Sequence, residues 1–112
     1  MKRARTYSPY AVEAAQLLGA KIRVARRERR WSQKELGDRA GITPDTLSKV
    51  ERGDLSVGLG AAFELAALVG VPLFHGDRSR LRIDLDRTFG RSALLPQRVR
   101  TRKDDVEDDP SA

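Results

Sequence analysis

Between Ser32 and Gly53 the chain carries two helix starts and two helix stops in close succession, and this punctuation constrains the fold more than any other feature. Ser32-Gln33-Lys34-Glu35 has the S-x-x-E capping-box form, in which the serine side chain takes the backbone N–H three residues on and the glutamate reaches back to the cap. Gly41 supplies a left-handed stop after Ala40. Thr43-Pro44 then offers a second N-cap with proline at the first helical position. Two short helices, 33–40 and 44–51, must therefore meet across Gly41-Ile42-Thr43. A turn that short sets the second helix across the first and lets it project outward, which makes the segment a helix-turn-helix candidate. Leu36, Ala40, Ile42, Leu47 and Val50 are the core positions that hold the two helices together.

The flanking sequence reads as further helix. Ser8-Pro9 starts a helix that runs from Tyr10 to Arg30, with Leu18, Ile22 and Ala25 on one face and a bend or break expected at Gly19. Gly53-Asp54 closes the 44–51 helix. After a loop containing Ser56 and Gly58, the apolar run Leu59 to Val69 forms another helix, ending at Gly70. In 77–89, Leu81, Ile83 and Leu85 alternate like a strand, while Leu81, Leu85 and Phe89 recur at helical spacing; the helix is favoured. Its pairs Arg80/Asp84 and Arg82/Asp86 run basic to acidic, the weaker order for helix support. The expected organisation is a basic arm at 1–8 and a helical domain at 9–76. A dimer or partner contact follows at 77–90, and a charged, disordered tail at 91–112. With 112 residues, 5% aromatics and an aliphatic core, the fold class is all-α with one small domain.

Charge narrows the partner. Lys and Arg number 22 against 16 Asp and Glu, a net +6; residues 1–30 alone hold nine basic and two acidic side chains, so the rest of the chain sums to −1. A basic patch confined to an arm and first helix points to nucleic acid, with an anionic membrane surface or plain solubility as the competing readings. Enzyme chemistry finds no support: the chain has no cysteine, a single His75, no paired-carboxylate motif and no glycine-rich phosphate loop. Neither a metal nor any other cofactor is expected. No stretch approaches the roughly 20 apolar residues of a membrane span, so a cytoplasmic, nucleoid-associated protein is expected.

Ile22-Arg23, Arg26, Trp31 to Leu36, Ala40 to Thr43, Leu47-Ser48 and Val50 to Gly53 together resemble the XRE family of helix-turn-helix regulators, which includes the lambdoid phage repressors; the resemblance covers about 17–74. It implies a lambda repressor-like five-helix bundle, here with a short C-terminal extension, that binds a pseudo-palindromic double-stranded DNA operator as a homodimer. By position it implies DNA-backbone contacts from Gln33, Thr43 and Arg52 and base contacts from Asp45, Thr46, Ser48 and Lys49. Pro44 falls among the base readers but cannot donate a hydrogen bond. Lysine suits guanine O6/N7, aspartate the cytosine N4 donor and threonine a thymine methyl. An acid at position 45 departs from the family pattern, and capping of its own helix is an equal reading. Ser32, Glu35 and Thr43 can likewise be caps and nothing more. The resemblance assigns Arg26 and Glu51 to an internal salt bridge rather than to DNA.

Tyr7-Ser8-Pro9 and the short tail resemble HipB-like antitoxins, the DNA-binding partners of HipA-like kinase toxins. That implies an antitoxin and autorepressor of its own operon, with Leu94, Leu95, Pro96 and Arg98 as the toxin contact or else a solvated tail. A stand-alone phage- or restriction-type repressor and an interaction adaptor that does not bind DNA remain open beside it.

Overall fold

The computed structural model describes residues 6–97, and among these every regular element is an α-helix: α1 (Pro9–Glu28), α2 (Gln33–Ala40), α3 (Pro44–Arg52), α4 (Leu59–Val69) and α5 (Arg78–Leu94). The chain divides into two units, Met1–Asp77 with α1–α4 and Arg78–Ala112 with α5. No described helix is long and apolar enough to cross a membrane.

Helix starts follow the capping chemistry. The Ser8 hydroxyl accepts from the Ala11 amide at 3.2 Å, and Pro9 opens α1. At α2 both arms of the capping box are made: Glu35 N–H donates to Ser32 Oγ at 3.0 Å, and Ser32 N–H donates to Glu35 Oε1 at 2.7 Å. Thr43 Oγ1 accepts from the Thr46 amide at 3.3 Å, with Pro44 in the first turn of α3.

The helix ends of α1–α4 share one motif, a residue with positive φ followed by an amide that bonds back five residues. The bonds are Trp31 N–H to Arg26 O, Ile42 N–H to Gly37 O, Asp54 N–H to Lys49 O and Val71 N–H to Ala66 O, all 2.9–3.1 Å. The positive-φ residues are Gly41, Gly53, Gly70 and, ending α1, Arg30 at φ 59. Glycine at three of these sites explains why the stops were legible; Arg30 gives no such signal, and α1 ends at Glu28 rather than at Arg30.

α3 packs against α1, α2 and α4 and is the hub of the first unit. Ile22 of α1, Leu36 of α2, Leu47 of α3, and Leu65 and Val69 of α4 are completely or almost completely buried; Leu18, Ala25, Ala40 and Ile42 pack partly buried around them. Gly19 neither bends nor breaks α1. It lies where the backbone of α3 comes closest: a Cβ there would fall on the Val50 carbonyl oxygen and 2.8 Å from that of Glu51. In the α3–α4 loop, Asp54 Oδ1 accepts from Ser56 Oγ at 2.7 Å and from Ser56 N–H at 2.8 Å. These bonds, the hydroxyl first, hold the Asp54 carboxyl below its ordinary pKa.

In the second unit, Leu81, Ile83 and Leu85 are helical, exposed positions of α5. The helix continues through Gly90 to Leu94, four residues into the stretch expected to be disordered. A single helical glycine costs only about 1 kcal/mol, and Arg91, Ala93 and Leu94 are good helix formers; the chain leaves the helix ahead of Pro96.

Two glycine substitutions test this packing. Gly19→Ala is expected to lower unfolding stability by about 1–3 kcal/mol or more, because rigid backbone blocks the methyl. Gly60→Ala, in α4 where a Cβ meets nothing within 4 Å, is expected to raise it by up to about 1 kcal/mol. Urea denaturation of both variants measures the contrast.

Candidate nucleic-acid interface

The connection from α2 to α3 leaves the start of α2 and one face of α3 on the surface while their inner faces enter the core. Leu36, Leu47 and Val50 point inward. Gln33, Asp45, Thr46, Ser48, Lys49 and Arg52 are half-buried or exposed.

Beneath this surface lies a buried charge cluster centred on Glu51, which is 3% exposed. Arg26 from α1 grips its carboxylate with two bonds, Nε to Oε2 at 2.7 Å and Nη2 to Oε1 at 3.1 Å. The third guanidinium nitrogen, Nη1, donates to the Trp31 carbonyl at 2.8 Å and so ties down the link between α1 and α2. Arg23 adds a bond from Nη2 to the Glu51 carbonyl at 3.2 Å. A planar guanidinium with its donors in a fixed fork can serve a carboxylate and a carbonyl at once, which an ammonium cannot do with the same geometry.

Gln33, the first residue of α2, joins this cluster: its Nε2 donates to Glu51 Oε1 at 3.1 Å. An ionised carboxylate accepts only, so the amide nitrogen must face it. That nitrogen carries a second N–H, which remains for an outside oxygen beside the free backbone amides of the α2 N-terminus. The arrangement suits an anionic oxygen such as a DNA phosphate.

On α3, Lys49 Nζ lies 3.4 Å from Asp45 Oδ2, one turn earlier, in the favourable acid-before-base order. Arg52 Nη1 donates to Ser48 Oγ at 2.8 Å, and Thr43 Oγ1 donates to Thr46 Oγ1 at 3.1 Å. The side chains that the resemblance assigns to DNA thus stand in three linked pairs along one surface, with Gln33 held from below. Leu94, Leu95 and Pro96 belong to the second unit, at and beyond the end of α5, and all are exposed. Arg98, residues 1–5 of the basic arm and the rest of the charged tail lie outside the described residues.

The sequence reading left out two contributors. Arg39 of α2 stacks over the Trp31 ring at 4.3 Å from its centroid, with Arg29 at 5.7 Å on the same ring. Neither spacing is helical or otherwise periodic, so no sequence pattern could signal it. The link of Gln33 to Glu51 also spans 18 positions and has no local signature.

A helix-turn-helix family model matches residues 22–75, which contain α2, the turn and α3, so this segment is similar to a helix-turn-helix domain. Over 45 residues the chain is 40% identical to a protein of Sinorhizobium fredii described as an uncharacterized HTH-type transcriptional regulator, y4dL. The similarity takes in 40% of this chain and 23% of that relative's length.

Arg26→Met, which leaves Glu51 buried without its main partner, is expected to cost about 3–5 kcal/mol of unfolding free energy. The double variant Arg26→Met/Glu51→Leu is expected to recover most of that loss, since an apolar pair needs no desolvation. Equilibrium denaturation of the two proteins checks both values.

Proposed function

We propose that this chain is a sequence-specific DNA-binding transcriptional repressor that uses its helix-turn-helix domain as a homodimer on a pseudo-palindromic operator. The observation that carries the reading is the Gln33 amide, held by Glu51 at the N-terminus of α2 next to the exposed polar face of α3. Phosphate contacts place a protein on the duplex, and base-edge contacts read it. Gln33, Thr43 and Arg52 take the first role; Asp45, Thr46, Ser48 and Lys49 take the second. The Asp45–Lys49 pair sets an acceptor and a donor 3.4 Å apart, a spacing that suits the adjacent cytosine N4 donor and guanine O6 acceptor of one base pair. Pairing also explains how an acid can sit at a surface that faces phosphates. The similarity to a transcriptional regulator supports the same reading. One short recognition helix buries too little for specific affinity, which favours two copies on half-sites about 34–36 Å apart.

Within this reading the chain acts as the antitoxin and autorepressor of a HipBA-like operon. Exposed Leu94 and Leu95, at 86% and 64%, support a contact with a HipA-like kinase toxin. Replacing both with serine is expected to weaken capture of a co-expressed toxin in a pull-down while operator binding is kept.

Selection of bound DNA from a random pool, followed by gel shifts on single-base variants, tests the DNA reading. Gln33→Ala and Arg52→Ala are expected to weaken binding to all sequences alike, whereas Lys49→Ala relaxes preference at one base pair by about 1–3 kcal/mol. An unchanged base profile for Lys49→Ala would overturn the assignment of roles.

A further inference from the structure

α1 has a second face that the domain does not use. Its inner side buries Gly19, Ile22 and Arg26. On the side turned away from the core, Tyr10, Leu17 and Val24 follow one another every seven residues, with 85%, 57% and 55% of their surfaces exposed. Seven residues are close to two helical turns, so the three side chains form one straight apolar stripe. Glu13, Ala14, Ala20 and Lys21 flank it, all exposed. Beside the stripe runs an open, mainly apolar groove of about 390 Å³, lined by Leu17, Ala20, Val24, Gly70, Val71 and Pro72, with Lys21 and Glu28 also bordering it.

We infer that this face docks a second copy of the same chain, α1 against α1 in antiparallel pairing about a two-fold axis at Leu17. The argument is self-complementarity, which a two-fold interface requires. An antiparallel pair centred on position 17 sets each residue opposite the one equally far on the other side. Leu17 meets Leu17, Tyr10 meets Val24, Glu13 meets Lys21 and Ala14 meets Ala20. Glu13 and Lys21 therefore face the opposite sign, twice per dimer, while Glu28, which also borders the groove, stands opposite the uncharged Thr6, so no like charges are opposed. Ala14 and Ala20, on either flank of Leu17, are too small to obstruct the approach of the second helix to an axis separation of about 8–10 Å. Tyr10 of the partner subunit covers Val24 and reaches the groove bounded by Val71 and Pro72, with its hydroxyl left at the rim.

The contact gives the homodimer of the proposed repressor a surface, distinct from residues 77–90, and to that extent rests on that reading. Its test uses no DNA, so failure of the α1 contact and failure of the operator reading are separate results. The chain has no cysteine, and Leu17→Cys therefore supplies a single thiol that faces its own copy across the axis. With Cα atoms about 2.3 Å from each helix axis, an 8–10 Å separation brings the two Cα atoms within disulfide reach. Under mild oxidation the full-length Leu17→Cys protein is expected to run as a covalent dimer on a non-reducing gel, while Glu64→Cys on the exposed side of α4 stays monomeric. Glu13→Lys and Lys21→Glu are each expected to weaken self-association by roughly tenfold in sedimentation equilibrium, because unlike pairs become like pairs at both ends. Mixing the two single variants should restore it, since the heterodimer again pairs opposite charges. Cross-linking of the Leu17→Cys protein no stronger than that of the α4 control, or charge variants that associate like the wild type or fail to recover on mixing, would overturn the inference.

Discussion

The bidentate contact of Arg26 with Glu51 is the interaction on which the rest of the first unit depends. It joins α1 to α3 across 25 positions of sequence. Through the remaining nitrogen of Arg26 it fixes the Trp31 carbonyl, and through the second carboxylate oxygen it holds Gln33. Three helices are thus referred to one buried carboxylate. A buried pair of this kind adds little net stability compared with an apolar replacement, because desolvation offsets the attraction. What it supplies is direction: the bonds of the cluster tie α3 to α1 and the α2 N-terminus to both.

That placement gives α3 two tasks along a helix of nine residues. Leu47, Val50 and Glu51 face the interior and fix its position, while Asp45, Ser48, Lys49 and Arg52 lie on the other sides. A short helix can do both because its inner contacts are so closely set. Gly19 lets the α1 backbone approach the Val50 and Glu51 carbonyls directly, which brings the Arg26 fork within reach of the carboxylate.

The cationic side chains of this surface are engaged before any partner arrives. Lys49 is held by Asp45, Arg52 donates to Ser48, and Lys34 pairs with Asp38 at 2.9 Å. Exposed pairs of this type are worth about 0–1 kcal/mol, so under the proposed function they would exchange at small cost for contacts with phosphate or base edges. Each pair restrains a long side chain on the surface before any contact is made, which reduces the side-chain entropy that an interaction there would cost.

The sequence by itself determined where the helices of the first unit begin and nearly everywhere where they end. Caps, capping box and left-handed glycines act over three to five residues, and such contacts are complete before any tertiary packing is specified. It also determined the apolar positions, since Ile22, Leu36, Leu47 and Val50 follow from helical spacing. The exceptions have the same origin. Arg30 takes a conformation usually left to glycine, α5 runs on past Gly90 because one glycine is a small penalty, and Gly19 packs where a bend was expected. Only the tertiary structure decided what Gly19 touches, that Gln33 shares the carboxylate of Glu51, and that Arg39 lies on Trp31. These contacts join groups far apart in the chain, or in different helices, and their geometry exists only once the core has set the helices at their crossing angles.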